Sequence, residues 1–428
     1  MVTAKVYDAC NEGSGRNMFT TYCVATETTM VRRRYSDFLW LYGRLMTELP
    51  GAIVPVIPHK RALKNSTKFN DIFIEERRAN LETFLKAVVQ HSELSHAPSM
   101  TPFMTFGLGE RFDTAKRRLE QSRPSVLHIE AEEASDVASS GGTKKGLSNF
   151  LAKAKTMGRM GISGSANLLH TPEEKQVEAI RKFVTELEAH VKQLTIASSA
   201  LLQVTKDTAS AVSLLKQPMQ GWKELHGKSI ADGDNTLHMI SALVDFSTDY
   251  ATLMEYKQQE ETKKFLEQMT QLSLDVKAFS NALKQRKQFQ ITYTTRFQQG
   301  IDKDAAIEKA LRQYKPPEIT DKLKFEREVL TKQQDAAKQS LDECSSRVIR
   351  EAHRAEPLLG DSLQRCFYEY AKIQVAYHDR IHTAWSQLLP YVNKKEEENN
   401  TSAGENEIKP PMPPSDPPPP PPPEDDVE

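Results

Sequence analysis

The amino-acid sequence predicts an α+β domain followed by an all-α region of three long helices. Two observations predict this order. Residues 1–112 mix short β-prone runs with apolar residues at helical spacing, whereas residues 171–391 contain proline only at positions 172, 218, 316, 317, 357 and 390. A length of 428 residues allows two to three domains.

The charge is unevenly distributed along the chain. The 57 basic and 58 acidic residues give a net charge of −1, which provides no basic excess for a nucleic-acid partner. Residues 394–428 hold 3 basic and 10 acidic residues, so the rest of the chain carries 54 minus 48, or +6. A mildly basic body with an acidic tail is therefore expected.

Hydropathy and cysteine usage favour a cytosolic protein. No run of 18 apolar residues occurs, so we expect no transmembrane helix. The first residues, Met1–Asn11, lack the long apolar core of a signal peptide. The four cysteines are far apart and form no C-x-x-C pair, which argues against a disulfide framework or a zinc site and favours a reducing compartment.

The N-terminal region has the elements of a small α+β domain. Three short runs are β-prone, at Ala4–Tyr7, Phe19–Thr26 and Thr29–Arg34. Two helical patterns follow, at Ser36–Leu49 and Ile74–His91. In the second pattern, apolar residues recur at i, i+3, i+4 and i+7, which places them on one helix face.

A linker with an amphipathic segment follows. Residues 113–145 are poor in large apolar side chains and end in Ser-Ser-Gly-Gly, which predicts a linker. In residues 146–163, basic residues lie outside an apolar stripe at helical spacing. The stripe consists of Leu147, Phe150, Leu151, Ala154, Met157 and Gly161. A linker offers no core, so we expect an amphipathic helix that inserts into a membrane surface; a helix packed on the following region is the alternative.

Residues 171–392 are helix-prone almost throughout. Thr171-Pro172-Glu173-Glu174 combines an N-cap hydroxyl, a proline at the first helical position and early acidic residues. Glycines near 221–233 and Tyr314-Lys315-Pro316-Pro317 predict two breaks, and hence helices over roughly 172–226, 235–312 and 318–392. Each would span about 80 to 115 Å, too long to bury itself in one globule. Apolar residues spaced by three and four predict an antiparallel bundle that dimerises.

The last segment, 394–428, predicts a disordered acidic tail. It has eleven prolines between Pro410 and Pro423 and therefore a polyproline II bias. Such tracts bind SH3, WW and EVH1 domains or profilin. A cytoskeletal or signalling adaptor recruited through this tail is thus the alternative function, and tail deletion would abolish recruitment only under that alternative.

Three separate basic groups in the first 110 residues form a candidate anion site. Arg32-Arg33-Arg34-Tyr35-Ser36 lies where a strand runs into a helix, and the planar fork of arginine suits phosphate. Lys60 ends a proline-containing loop, and Arg77-Arg78 lies in the next helix. Each group alone would be ordinary on a solvated surface, but together they match a multivalent anionic headgroup.

These motifs resemble the PX (phox-homology) family over residues 1–110. The matching patterns are R-R-Y-S-D-F, the Ψ-P-x-x-P-x-K loop that ends at Lys60, and F-I-E-E-R-R. The resemblance implies a three-stranded antiparallel sheet with helices, and binding of phosphatidylinositol 3-phosphate. It implies that Arg34 binds the 3-phosphate with support from Ser36, that Tyr35 packs against the inositol ring, that Lys60 meets the 1-phosphate, and that Arg77 bonds the 4- and 5-hydroxyls.

The same resemblance implies that apolar residues of the proline-containing loop dip into the bilayer. The candidates are Ala52, Ile53, Val56, Ile57 and Leu63. Ordinary loop packing is the alternative for each of them.

A PX domain followed by three long helices resembles the PX-BAR sorting nexins, with a last helix similar to that of the retromer-associated sorting nexin 1 type. The resemblance implies a homodimer or heterodimer with a curved basic face. It also implies that this dimer is located on endosomes, where it tubulates the membrane. There it would sort cargo for retrograde or recycling transport, together with retromer subunits. Candidate membrane contacts near the second break are Lys284, Arg286, Lys287, Lys303, Lys309, Arg312, Lys315, Lys322 and Lys324. A solvated helix face is the alternative for each.

No catalytic arrangement is visible in the sequence. The histidines do not fall in H-E-x-x-H, and neither a P-loop nor a G-x-S-x-G elbow is present. His378 and His382 are four residues apart, but such a pair is more often two surface side chains than a metal site. We expect no enzyme activity, no cofactor, no metal and no nucleic-acid partner.

Overall fold

The computed structural model describes residues 3–13, 19–57, 71–122, 168–226 and 235–393. Lys60, Leu63, the predicted amphipathic helix 146–163 with Leu147, Phe150, Leu151 and Met157, and the tail 394–428 lie outside these ranges. Contacts divide the chain into two units, Met1–Gln203 with Gln259–Ile373, and Val204–Gln258 with Gln374–Glu428.

The N-terminal domain of the first unit contains a three-stranded antiparallel sheet, as predicted. Its strands β1 (Lys5–Glu12), β2 (Phe19–Ala25) and β3 (Met30–Arg34) lie in sequence order. Strand β1 runs beyond the predicted Ala4–Tyr7 because its pairing with β2 continues past a bulge between Tyr7 and Cys10.

Four helices and a short 3₁₀ turn pack on this sheet. They are α1 (Tyr35–Glu48), α2 (Asp71–Gln90), the 3₁₀ turn Leu94–His96, α3 (Met100–Thr105) and α4 (Glu110–Ser122). The core contains an edge-to-face pair of Phe38 and Phe103, with ring centroids 5.1 Å apart. Phe112 is buried beside Trp40, so α4 packs on the domain and the first part of the predicted linker 113–145 is helical.

Three long helices follow, and parts of all three lie in the first unit. They are α5 (Glu174–Ser213), α8 (Glu267–Arg312) and α9 (Pro317–Val392). One apolar cluster joins Val184, Phe279 and Val348, and a second joins Val191, Phe265 and Cys366. From the first cluster to the second, residue numbers rise in α5 and in α9 but fall from Phe279 of α8 to Phe265 of the turn before it. Helix α8 therefore runs antiparallel to α5 and α9.

The second unit contains the end of α5, α6 (Lys216–His226), α7 (Asn235–Glu261) and the end of α9. A short turn separates α5 from α6, so the predicted helix 172–226 is two helices. An aromatic cluster forms the core, where Phe246 lies 4.4 Å from Trp385 between ring centroids. A π turn, Thr262–Leu266, connects α7 to α8 in the first unit.

The loop after α1 packs against α8 and α9 within the first unit. Ile53 and Val56 join the cluster of Phe279 and Val348. Ala52 and Ile57 belong to the core of the sheet domain. The prediction that Ala52, Ile53, Val56 and Ile57 enter a bilayer is therefore wrong, because all four side chains are buried.

Polar contacts fix this loop to the helices. Gly51 N–H donates to Oε1 of Gln285 at 2.9 Å, and Nε2 of Gln285 donates to the carbonyl of Met46 at 2.6 Å. Arg347 of α9 forms an ion pair with Glu93 at 2.8 Å.

Within the described ranges, none of the helices combines the length and apolar character needed to cross a bilayer.

Candidate functional site

The three consecutive arginines at the end of β3 have different surroundings. Arg32 donates to the carboxylate of Asp8 at 2.8 Å and to the hydroxyl of Thr21 at 2.9 Å. The hydrogen bond to Asp8 raises the pKa of the Arg32 guanidinium. Arg32 is therefore already engaged with the bulge of β1.

Arg33 is a structural arginine. Its side chain is fully buried and donates to the carbonyls of Pro102 at 3.0 Å, Phe103 at 2.8 Å and Phe106 at 2.5 Å. Burial lowers the pKa of Arg33 to about 10. The guanidinium lies 4.0 Å from the ring centroid of Phe112, so Arg33 ties β3 to α3 and α4.

Arg34 points outward and lies on an aromatic ring. Its Cζ is 3.6 Å from the ring centroid of Phe19, and its side chain is exposed. Its backbone N–H donates to Oδ2 of Asp37 at 2.8 Å, while the other carboxylate oxygen of Asp37 accepts from Lys116. In the part of the chain that the structure describes, no carboxylate pairs with the Arg34 guanidinium, which leaves its donors for an external anion.

The two arginines of α2 divide in the same way. Arg78 donates to Glu75, Glu82 and the carbonyl of Val6, and the hydrogen bond to Glu75 is the main cause that raises its pKa. Arg77 has no carboxylate partner among the described residues. Its Cζ lies 4.2 Å from the ring centroid of Phe73 and 4.6 Å from that of Tyr35.

These contacts bring two predicted groups together. Tyr35 follows Arg34 directly in the chain, and Arg77 covers the Tyr35 ring, so the start of α1 meets the start of α2. Ser36 is exposed in the first turn of α1. Two guanidinium groups on aromatic rings, with an exposed hydroxyl nearby, can bind a phosphate and a polyol together.

Phe19 was not predicted as a site residue. Thr21 of β2 pairs with Arg34 of β3, which makes Phe19 the diagonal cross-strand neighbour of Arg34. The register of β2 and β3 identifies Phe19 as a neighbour of Arg34. The spacing of residues in the sequence does not give this register.

Comparisons with known proteins show what the N-terminal domain and the whole chain are similar to. The PX domain family matches residues 21–106. Sorting nexin-7 from Mus musculus is 39% identical over 97 residues, covering 20% of this chain and 25% of that protein. Sorting nexin-4 from Eremothecium gossypii is 21% identical over 374 residues, covering 85% of this chain and 87% of that protein.

A solved structure extends the similarity to the fold of the long helices. The cryo-EM structure of the SNX-BAR Mvp1 tetramer superposes with a TM-score of 0.60 at 14% identity, covering 90% of this chain and 99% of that one. The chain therefore contains a PX domain, and its long helices share the fold of an SNX-BAR structure. The stretch of this chain that matches sorting nexin-7 spans about a quarter of that relative's length.

The basic residues predicted on the long helices fall into two groups. Lys284, Lys287, Lys309, Arg312 and Lys315 are exposed, and Arg312 forms an ion pair with Glu308 at 2.5 Å. Lys303 pairs with Glu326 at 2.7 Å, and Lys324 with Asp321 at 3.6 Å, while Lys322 is exposed.

Arg286 corrects the sequence-based prediction. Its side chain is 3% exposed and forms an ion pair with Glu174 at 2.7 Å, which ties α8 to α5. Burial by itself would raise the pKa of Glu174, but the bonds from Arg286 outweigh it and the pKa is lowered. Arg286 therefore stabilises the helices and is not a membrane contact.

His378 and the four cysteines have ordinary surroundings in the described ranges. Across the described ranges, no group of three or more His, Cys, Asp or Glu side chains could hold a metal ion. Nδ1 of His378 bonds to the carbonyl of Gln374 at 2.7 Å. All four cysteines are free thiols, and burial raises the pKa of Cys344 to about 12.

Proposed function

We propose that this protein is a PX-BAR sorting nexin, a peripheral membrane protein that binds phosphatidylinositol 3-phosphate on endosomes. Once bound, it senses or induces curvature and tubulates the membrane for cargo sorting in retrograde or recycling transport. The role is one of binding and shaping a bilayer, and no reaction is assigned to it.

One observation carries the proposal. The site contains two runs of arginine, 32–34 and 77–78. Within the described residues, Arg34 and Arg77 are the members of these runs that have no carboxylate partner, and the guanidinium group of each lies on an aromatic ring. Their neighbours Arg32, Arg33 and Arg78 are engaged inside the domain. The arrangement leaves two fixed guanidinium forks for a phosphorylated polyol.

The roles follow the predicted assignment. Arg34 binds the 3-phosphate with support from Ser36, and Tyr35 packs against the inositol ring. Arg77 donates to the 4- and 5-hydroxyls, and Lys60 meets the 1-phosphate. The aromatic rings of Phe19 and Phe73 hold the two guanidinium groups in place, so little side-chain entropy is lost on binding.

The helices contribute a second, weaker attraction to anionic lipid. Lys284, Lys287, Lys309, Arg312 and Lys315 are the proposed electrostatic contacts, each adding about 1 kcal/mol near the surface. The segment 146–163 inserts Leu147, Phe150, Leu151 and Met157 as an amphipathic helix. Several weak contacts on one chain raise the avidity for a surface that offers all of them.

Association with a second chain is part of the proposal. Helix α9 exposes large apolar side chains, among them Leu358, Tyr368, Val375 and Leu389, which a single copy leaves uncovered. A homodimer or heterodimer through the long helices would cover them. Retromer subunits are the proposed assembly partners, and the proline tail is a proposed ligand for SH3, WW or EVH1 domains or profilin.

Vesicle binding tests the headgroup site. Arg34→Ala and Arg77→Ala should each weaken affinity for vesicles containing phosphatidylinositol 3-phosphate by about tenfold to a hundredfold, because each loses a charge-assisted hydrogen bond. Arg118→Ala, at an exposed arginine of α4, is the matched control and should bind as the wild type does. Equal affinity for all four proteins would contradict the proposed site.

A further inference from the structure

The turn between α8 and α9 holds an unusual residue. Tyr314 has a φ of +51°, in the left-handed region, and its side chain is 95% exposed. Its N–H donates to the carbonyl of Leu311 at 3.1 Å, and the N–H of Lys315 donates to the carbonyl of Ala310 at 3.1 Å. These two bonds are those of a Schellman motif, in which Tyr314 occupies the position that glycine normally fills.

Tyrosine is a costly choice at this position. A side chain with a Cβ is strained in the left-handed region, and glycine or asparagine would close the same turn more stably. Packing inside the fold offsets little of this cost, because Tyr314 is 95% exposed among the described residues. We therefore expect the Tyr314 ring to contact a partner outside the folded chain.

The surroundings of the turn indicate what the ring meets. From Lys309 to Pro317 the sequence carries three cations, Lys309, Arg312 and Lys315, and no carboxylate, although Glu308 and Glu318 flank this stretch. Leu311 and Ile319 on either side of the turn are 54% and 45% exposed. Exposed apolar and aromatic side chains among cations are complementary to a bilayer with anionic headgroups.

We infer that the α8–α9 turn is a membrane-inserting element, in which the Tyr314 ring enters the interfacial region of an anionic bilayer between the headgroups bound by Arg312 and Lys315. The inference rests on the proposed function, since it needs a chain that binds membranes. It adds an inserted side chain to the proposed contacts of the long helices, which were otherwise electrostatic. Tyrosine suits this depth because its ring is apolar and its hydroxyl stays hydrated. Pro316 and Pro317 stiffen the chain behind the ring.

Tyr314→Gly separates insertion from folding. The substitution relieves the left-handed strain, so the unfolding midpoint should stay equal or rise. Affinity for vesicles of phosphatidylcholine, phosphatidylserine and phosphatidylinositol 3-phosphate, measured by flotation, should fall about threefold to tenfold, because the interfacial ring is lost. Tyr314→Asn, which also tolerates this conformation, should behave alike, and Gln313→Ala is the matched control that should change nothing.

Tyr314→Trp reports the depth directly. Affinity should be retained, and lipids brominated near the headgroup should quench more fluorescence than in the wild type, which has three tryptophans elsewhere. Equal affinity of the Tyr314→Gly variant together with no added quenching would overturn the inference. A smaller assembly of that variant in solution, with unchanged vesicle binding, would make the ring a protein contact and also overturn it. Failure of the wild type to bind these vesicles would instead defeat the proposed function.

Discussion

Glu351 of α9 accepts a hydrogen bond from the backbone N–H of Ile53, with 3.0 Å between the nitrogen and Oε2. The same oxygen lies 2.9 Å from Nε2 of His91, and Arg354 pairs with the carboxylate at 2.8 Å. Because Nδ1 of His91 accepts the N–H groups of Glu93 and Leu94, Nε2 is the nitrogen that carries the proton toward Glu351. One buried carboxylate thus joins the loop and the end of α2 to the long helices.

Removing this carboxylate should loosen the contact between the PX domain and the helices. Glu351→Ala leaves the Ile53 N–H and the His91 N–H without an acceptor, so we expect a loss of about 3 kcal/mol in the free energy of unfolding. Urea unfolding measures the loss, and hydrogen exchange at the Ile53 amide should accelerate. Glu356→Ala, at an exposed position of the same helix, should change stability by less than about 0.5 kcal/mol. Slow exchange at Ile53 in the Glu351→Ala variant would contradict this role.

The same carboxylate predicts a pH dependence. Burial alone would raise the pKa of Glu351, but the hydrogen bonds from His91, Arg354 and the Ile53 N–H lower it from 4.5 to about 2. A depressed pKa in the folded state gives stability that is complete above about pH 4.5 and is lost as the pH falls toward 2. The difference in unfolding free energy between wild type and Glu351→Gln should therefore shrink by about 3 kcal/mol across this window. A constant difference would contradict the assignment.

Two glycines should respond to alanine with opposite signs. Gly51 has a φ of +87°, and a Cβ there would lie 2.6 Å from the carbonyl oxygen of Cys344. Gly51→Ala should cost about 2 kcal/mol or more, because both the backbone and the packing on α9 are strained. A Cβ added at Gly43, inside α1, would meet no atom of the described residues within 4 Å apart from its chain neighbours and the backbone of α1 itself. Gly43→Ala should raise the free energy of unfolding by about 0.5 to 1 kcal/mol. Equal effects would contradict the packing of this loop.

Neighbouring arginines should separate stability from binding. Arg33→Ala removes the donor to three buried carbonyls and should cost about 3 kcal/mol, which lowers the thermal midpoint of the PX domain. Arg34→Ala should leave stability within about 0.5 kcal/mol, because its side chain is exposed, while headgroup affinity falls about tenfold to a hundredfold. A stable Arg33→Ala variant would show that the buried guanidinium is not a structural element.

Features with a regular period could be predicted from the sequence. The long helical stretches follow apolar spacing and proline content, and their outer bounds differ from the predicted ones by one or two residues at most. Within them, the predicted helix 172–226 is divided into α5 and α6, and a π turn interrupts the predicted helix 235–312. The strands β2 and β3 follow from β-prone runs. The bulge that prolongs β1, by contrast, depends on pairing with β2 across the sheet.

Contacts between distant segments could not be predicted. Gly51 and Gln285 are 234 residues apart, so no local pattern indicates that the loop is buried against α8. The ion-pair partner of Arg286 is Glu174, which lies on a different helix far away in the sequence. No pattern near Arg286 indicates this partner, and Arg286 was therefore predicted as a membrane contact. The motif resemblance selected Arg34 among three arginines, but only the register explains why Arg32 and Arg33 face Asp8 and Phe103.

Electron microscopy of the purified protein with vesicles tests the central claim most directly. Vesicles containing phosphatidylinositol 3-phosphate should be drawn into tubules, and the same vesicles without this lipid should stay round. Arg34→Ala should then remove the tubules while the protein remains folded. Tubules of equal number on both kinds of vesicle, or protein bound to vesicles that never deform, would contradict a lipid-directed membrane-shaping role.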